Sequence, residues 1–158
     1  MALWGARFSD GPADAVFALS RSAHFDWRLA PYDIRSSLAH LSVLESSKLV
    51  AKDDAAAIRG ALKELAVEVS KGSFVAQADD EDVHSALERG LTAKLGAVGG
   101  ALRAGRSRND QVTTDLRLFA IDHMLEVASL ITALNTTILN KANEYVNDSA
   151  PGFTHIQH

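Results

Sequence analysis

The sequence predicts an all-α protein. Three observations carry that expectation: long runs of Ala, Leu, Glu, Lys and Arg, only three prolines in 158 residues, and apolar residues recurring at three- and four-residue intervals with no period-two alternation. The length suits one domain of ordinary size, or one and part of another. With 47% hydrophobic and 23% charged residues, the chain is apolar enough to bury a core and too apolar for intrinsic disorder.

A short helix is expected from Ala13 to Arg21. A second begins near Pro31, whose missing N–H costs nothing in a first helical turn, and Ile34, Leu38, Leu41 and Leu44 form its buried stripe. A third begins with Asp53 as N-cap, carries Ile58, Leu62, Leu65 and Val69 at the same spacing, and stops before Gly72, a residue suited to the left-handed position past a helix end. The acidic stretch Asp79 to Asp82 opens a fourth at the positive end of its dipole. Val83, Leu87, Leu91 and Leu95 are its stripe, and Gly96 ends it.

A glycine-rich connector follows, with Gly96, Gly99, Gly100 and Gly105. From about Asn109 to Asn147 there is then no Pro or Gly, and Val112, Leu116, Phe119, Val127, Ile131, Leu134, Ile138 and Tyr145 keep close to a helical or heptad period. At about 1.5 Å per residue that helix would run roughly 58 Å, too long for a compact domain of this size to cover, so it needs partners. The expected division is an N-terminal helical domain over 1–105 and a second, longer-helix domain starting at 106 and continuing to 158.

The balance of 16 Lys+Arg against 20 Asp+Glu, a net charge of −4, makes nucleic acid or an anionic membrane a poor expectation as partner. The absence of Cys removes disulfides, thiolate metal sites and a Cys nucleophile. The start, Met1 to Arg7, lacks the apolar run of a signal peptide, and no later segment is expected to approach the ~20 apolar residues of a membrane helix. A cytoplasmic location is the corresponding expectation.

The strongest local motif is Gly105-Arg106-Ser107-Arg108-Asn109-Asp110-Gln111, at the mouth of the long helix. Free N–H groups and the helix dipole make a helix start an anion site, Arg grips a carboxylate with a bidentate fork, and Ser and Asn add neutral hydrogen bonds. The plainer alternative is that Ser107 or Asn109 caps the helix and the arginines are solvated. Arg103, Arg106 and Arg108 form a basic cluster without interleaved aromatics, which fits a small anion better than a polynucleotide. Thr154-His155, after Pro151-Gly152, offers a histidine that can act as acid or base near neutral pH. Asp82-x-His84 is not a same-face helical pair, and reads most simply as a capping Asp with a partly exposed His; no HExxH or similar metal-ligand spacing occurs. Ser22 and Asp26 read alone as ordinary turn residues. There is no nucleophile elbow, P-loop or dinucleotide fingerprint.

Taken together, Leu3-Trp4-Gly5-Ala6-Arg7-Phe8, Asp80-Glu81-Asp82-Val83-His84, Gly105 to Gln111 with Thr114-Asp115-Leu116-Arg117, and Pro151-Gly152-Phe153-Thr154-His155-Ile156-Gln157 resemble, in order, the argininosuccinate lyases of the fumarase/aspartase superfamily. The chain departs from the usual pattern at Arg103-Ala104, where His-Thr is common. The resemblance implies a small helical domain followed by the first long helix of a central bundle. It implies reversible splitting of argininosuccinate into arginine and fumarate, in arginine biosynthesis or the urea cycle, with no metal and no organic cofactor. It implies His155 as the catalytic residue, Ser22, Asp26, Ser107, Arg108, Asn109 and Thr154 as substrate contacts, and Asp82, His84 and Gln157 as supporting residues. It further implies a homotetramer whose active sites are shared between subunits, and a later Ser-bearing catalytic loop that these residues do not contain, so this stretch alone is expected to be inactive. A non-enzymatic, crystallin-like relative and another fumarate-releasing lyase are the alternatives.

Overall fold

The computed structural model describes residues 13–157. Among them lie seven α-helices: α1 Asp14–Ser20, α2 Ala23–Asp26, α3 Ala30–Ser46, α4 Lys52–Ser70, α5 Val83–Leu95, α6 Ala97–Gly100 and α7 Arg108–Glu144. Two 3-10 turns, Trp27–Leu29 and Ala101–Arg103, complete the helical elements. The opening segment Leu3 to Phe8 lies outside the described residues. The chain divides into two compact units, one ending at Phe119 and the other starting at Ala120, and each is taken by itself.

In the first unit α3 and α4 pair as a helical hairpin, and α5 packs on α4. The expected stripes supply the core: Ile34, Leu41 and Leu44 of α3, Ile58, Leu62 and Leu65 of α4, and Val83, Leu87 and Leu91 of α5 are buried, with Leu38, Val69 and Leu95 packed against them. α3 leaves its last turn through Lys48, at φ 58°, a left-handed position usually given to Gly. Gly72, at φ 68°, holds the equivalent place after α4 as expected.

Two helix boundaries differ from expectation. The N-cap of α4 is Ala51 and not Asp53, which lies inside the first turn with Asp54 and makes no capping bond; its carboxylate there acts only on the positive helix end. The glycine-rich connector is not a loop, because Ala97–Gly100 forms one further helical turn before the 3-10 turn. Gly99 is required for this close packing, since a Cβ there would stand 2.8 Å from the Leu91 carbonyl oxygen.

The first turns of α7 belong to this unit. The face that docks is Gln111 and Asp115, both buried, followed by Phe119, whose ring meets Tyr32 edge-on at 5.7 Å. Val112 and Leu116, of the expected apolar stripe, are exposed. This polar face meets α3 and α5, where Asp33 accepts from Gln111 at 2.9 Å and His84 lies 3.7 Å from Asp115.

The second unit holds the rest of α7 and the segment after it. Ile131, Leu134 and Ile138 are each more than half exposed, whereas the hydroxyls of Thr132, Thr136 and Thr137 donate to carbonyls four residues earlier, which satisfies them within the helix. α7 also corrects the expectation about membrane segments: by length and composition it is long and apolar enough to cross a membrane, with an 18-residue window of mean hydropathy 1.3. A helix at the centre of a bundle meets the same measure, being apolar around much of its circumference.

Candidate functional site

Asp82 is the N-cap of α5. Its carboxylate accepts from the Ser85 N–H at 2.6 Å, and the Ser85 hydroxyl accepts from the Asp82 N–H at 3.0 Å, a reciprocal capping box. Asp26 adds a second acceptor at this helix end, taking the Val83 N–H at 3.1 Å. The Ser22 hydroxyl donates to the other Asp26 oxygen at 2.6 Å, and the Ser22 N–H donates to the Glu81 carbonyl at 2.8 Å. Ser22 and Asp26 are therefore not free turn residues; they fasten α2 to the start of α5.

The start of α7 repeats the device. Ser107 accepts the Asn109 N–H on its hydroxyl at 3.2 Å, and Asp110 accepts the Ser107 N–H at 2.7 Å. Ser107 thus caps the helix, the plainer of the two alternatives, and both Ser107 and Asn109 keep exposed side chains. Arg108 is not solvated: its Nη1 donates to Gln111 Oε1 at 2.9 Å and pairs with Glu88 at 3.1 Å, and its Nε stands 3.6 Å from Asp82. Its Nε and Nη2 are buried without a hydrogen-bond partner. Around the start of α5, then, the structure brings together Ser22, Asp26, Asp82, His84 and Arg108.

Beneath them lies a sealed polar cluster. His84 is buried, contrary to the expectation of partial exposure, and its Nδ1 lies 2.6 Å from Asp33 Oδ2 and 3.7 Å from Asp115 Oδ2. Asp33 also accepts from Gln111 Nε2 at 2.9 Å and from the Ser37 hydroxyl at 2.8 Å. Arg106 reaches the cluster through the hydroxyls of Ser37 and Ser36, at 2.8 and 2.9 Å. Neither oxygen of Asp115 has a hydrogen-bond partner.

Burial acts to raise the pKa of Asp33, but the hydrogen bond and charge of His84, then Ser37 and Arg106, outweigh it and hold the carboxyl below its ordinary range. Burial acts to lower that of His84, and Asp33 above all reverses this, so the imidazole holds its proton to higher pH than usual. For Asp115 burial wins: helped by the Asp33 charge, it outweighs the lowering by the Ser36 hydroxyl, His84 and Arg106 and pushes the pKa up to about 6.

Asp33, His84 and Asp115 present three ligand-type atoms within 4.8 Å of one another. Donor atoms about 2.0 Å from a tetrahedral zinc stand roughly 3.3 Å apart. The 2.6 Å contact between His84 and Asp33 is shorter, and is the length of a charge-assisted hydrogen bond. The cluster's donors and acceptors fit a shared proton better than a cation.

The second unit carries the other candidate residues. Thr154 and Gln157 exchange both backbone hydrogen bonds, at 2.8 and 2.9 Å, closing a tight turn whose central residues His155 and Ile156 have φ of 49° and 66°. Two successive positive φ angles are the pattern of a type I′ turn, which favours Gly and Asn. A β-branched Ile there is strained, a condition that clusters at functional sites. The turn exposes His155 to solvent.

Asp33 was not among the residues expected to matter; Arg106 and Gln111 stood in the helix-start motif and Asp115 in the segment after it, without a part in a buried cluster. Their signal was periodicity of another kind. Asp33 and Ser37 share one helical face with Leu41, and Gln111 and Asp115 share one with Phe119, so each polar pair lies in line with a residue that must pack.

A family model described as lyase matches residues 7–158, and the chain belongs to that family; its all-helical architecture agrees with the fumarase/aspartase-like fold expected of it. More particularly, it is 52% identical over all of its length to the argininosuccinate lyase of Frankia casuarinae. It is 50% identical over 157 residues to those of Streptomyces griseus and Kineococcus radiotolerans. The chain spans about a third of the length of these curated relatives, 34%, 33% and 33%.

Proposed function

We propose that the whole protein is an argininosuccinate lyase, acting in arginine biosynthesis. The observation that carries this is half-identity, across the full chain, to relatives bearing that name. The site residues fit the chemistry. A base removes a proton from the succinyl carbon next to a carboxylate, and the electron pair is held on that carboxylate as extra negative charge. The C–N bond then breaks, the pair becomes the double bond of fumarate, and the guanidino nitrogen of arginine takes up a proton.

Preorganised donors aimed at the charged carboxylate lower the barrier. The start of α7 supplies N–H groups and the positive end of the helix dipole, and Ser107, Asn109 and Arg108 flank it. Ser107 accepts with its oxygen, so its hydroxyl proton remains for a ligand. In this reading Thr154 adds a donor, His155 moves the proton as acid or base, and Gln157 holds the turn that presents it. Ser22, Asp26, Asp82 and His84 act by fixing the start of α5 beside Arg108. No metal or cofactor enters these steps.

The exposed stripe of α7 supports a homotetramer in which a bundle covers that face and subunits share each active site; a cytoplasmic location belongs to the same reading. The test is to incubate the whole protein with argininosuccinate and follow fumarate by absorbance. Steady fumarate release supports the reading. No release would favour a crystallin-like structural relative, and release from a different adduct would favour another lyase of the superfamily.

A further inference from the structure

We infer that Gln111 is a positioning residue of this site, one that never touches substrate but sets the direction of the Arg108 guanidinium. The inference rests on the proposed lyase reading and gives a role to a residue that the sequence placed in the helix-start motif without one.

Gln111 is buried, in the first turn of α7, and so is out of a ligand's reach. Its amide is held from both ends by groups of opposite charge: Nε2 donates to Asp33 Oδ2 at 2.9 Å, and Oε1 accepts from Arg108 Nη1 at 2.9 Å. A flipped amide would set a carbonyl against a carboxylate and an N–H against a guanidinium, so only one orientation survives. The Gln111 N–H donates to the Ser107 carbonyl at 3.3 Å, tying the same residue to the cap that carries the candidate hydroxyl.

The consequence falls on Arg108. A free arginine side chain turns about four bonds, whereas here Nη1 is committed inward to Gln111 and Glu88. The Arg108 Nε stands 3.6 Å from the Asp82 carboxylate, and Nε and Nη2 are themselves buried, so the guanidinium is held in one orientation by its own neighbours. A guanidinium fixed in this way loses little further freedom when it meets a carboxylate. The orientation is in turn anchored in the sealed cluster, because Asp33 is fixed by His84 and Ser37.

The experiment uses the whole protein with two variants, Gln111→Met and Gln111→Glu. Gln111→Met keeps the shape and removes both polar interactions. We expect KM for argininosuccinate to rise tenfold or more, with kcat changing less than threefold, the pattern of lost binding to a carboxylate present throughout the reaction. Gln111→Glu keeps the acceptor for Arg108 but sets a second carboxylate against Asp33. The groups facing it are Asp33 on α3, His84 on α5, Asp115 on α7, and Arg106 and Arg108. When the acidic pair takes up a shared proton the donor to Asp33 is restored, so KM relative to wild type should recover at least threefold from pH 8 to pH 6.

A residue that only fills space would lower the unfolding temperature without this pH-dependent recovery. KM of Gln111→Met within twofold of wild type overturns the inference. If that variant does not fold, a relative KM for Gln111→Glu that stays level between pH 6 and pH 8 overturns it equally. Wild type that releases no fumarate removes the lyase reading itself, and the inference with it.

Discussion

Asp115 of α7 faces His84 of α5 across 3.7 Å, and neither of its oxygens accepts a hydrogen bond. An acid so placed takes up a proton far more readily than one in water. The pKa of Asp115 rises to about 6 from 3.8, and that of His84 rises from 6.5. For His84 the stabilisation is complete below about pH 6.5 and is lost as pH climbs through its folded value. For Asp115 the cost of ionisation emerges as pH climbs from 3.8 through about 6. Both slopes have one sign, so the first unit should lose stability from pH 5 to pH 8. Asp33, lowered from 3.8, opposes them only on the acid side, where its stabilisation is lost as pH falls through its folded value. Asp115→Asn should flatten the profile and gain roughly 1 to 3 kcal/mol relative to wild type on going from pH 5 to pH 8. Urea midpoints across that range decide it, and a level wild-type profile would contradict the assignment.

Asp82 and Asp53 both lie at helix starts, yet only Asp82 caps. Asp82→Ala removes the capping box of α5 and should cost about 0.5 to 2 kcal/mol. Asp53→Ala removes a charge that makes no capping bond, and its cost should stay below about 1 kcal/mol. Denaturant midpoints of the two variants, measured together, should rank in that order.

Two mid-helix glycines should respond to alanine with opposite signs. At Gly60 on α4 a Cβ meets nothing within 4 Å, so Gly60→Ala should stabilise by about 0.5 to 1 kcal/mol. At Gly90 on α5 a Cβ would stand 2.7 Å from the Phe74 ring and 2.9 Å from Leu65. Gly90→Ala should therefore destabilise, by about 1 to 3 kcal/mol. Thermal unfolding of both variants reads the difference directly.

On the proposed mechanism, His155→Asn in the whole protein should lower turnover by roughly 10² to 10⁴ while the assembly seen by sedimentation stays intact. His155 sits on an exposed turn of the second unit, and an intact assembly separates lost chemistry from lost packing. Turnover close to wild type would take His155 out of the mechanism.

Helices α3, α4 and α5 were legible because each repeats an apolar residue every third or fourth position. Ile34, Leu41, Ile58, Leu65 and Val83 announce their faces by that spacing alone. The docking face of α7 was not legible the same way, because Gln111 and Asp115 look like surface residues until Asp33 and His84 are known to lie opposite. No pattern within one helix reveals a partner 51 or 78 residues away. Ser107, Arg108 and Asn109 were singled out through helix-start chemistry and family resemblance, and His155 through its loop setting and the same resemblance. The backbone strain at His155 and Ile156 was invisible, since neither residue type prefers a positive φ.

The carboxylate of Asp33 is sealed by donors from two other helices, His84 of α5 and Gln111 of α7. Peeling away either helix alone would strand an ion in an apolar interior, at a penalty much larger than that of the apolar surface uncovered. Partial opening is therefore disfavoured beyond what its packing would suggest. Amide protons of α3, α5 and the opening turns of α7 should exchange with solvent together, as one cooperative block.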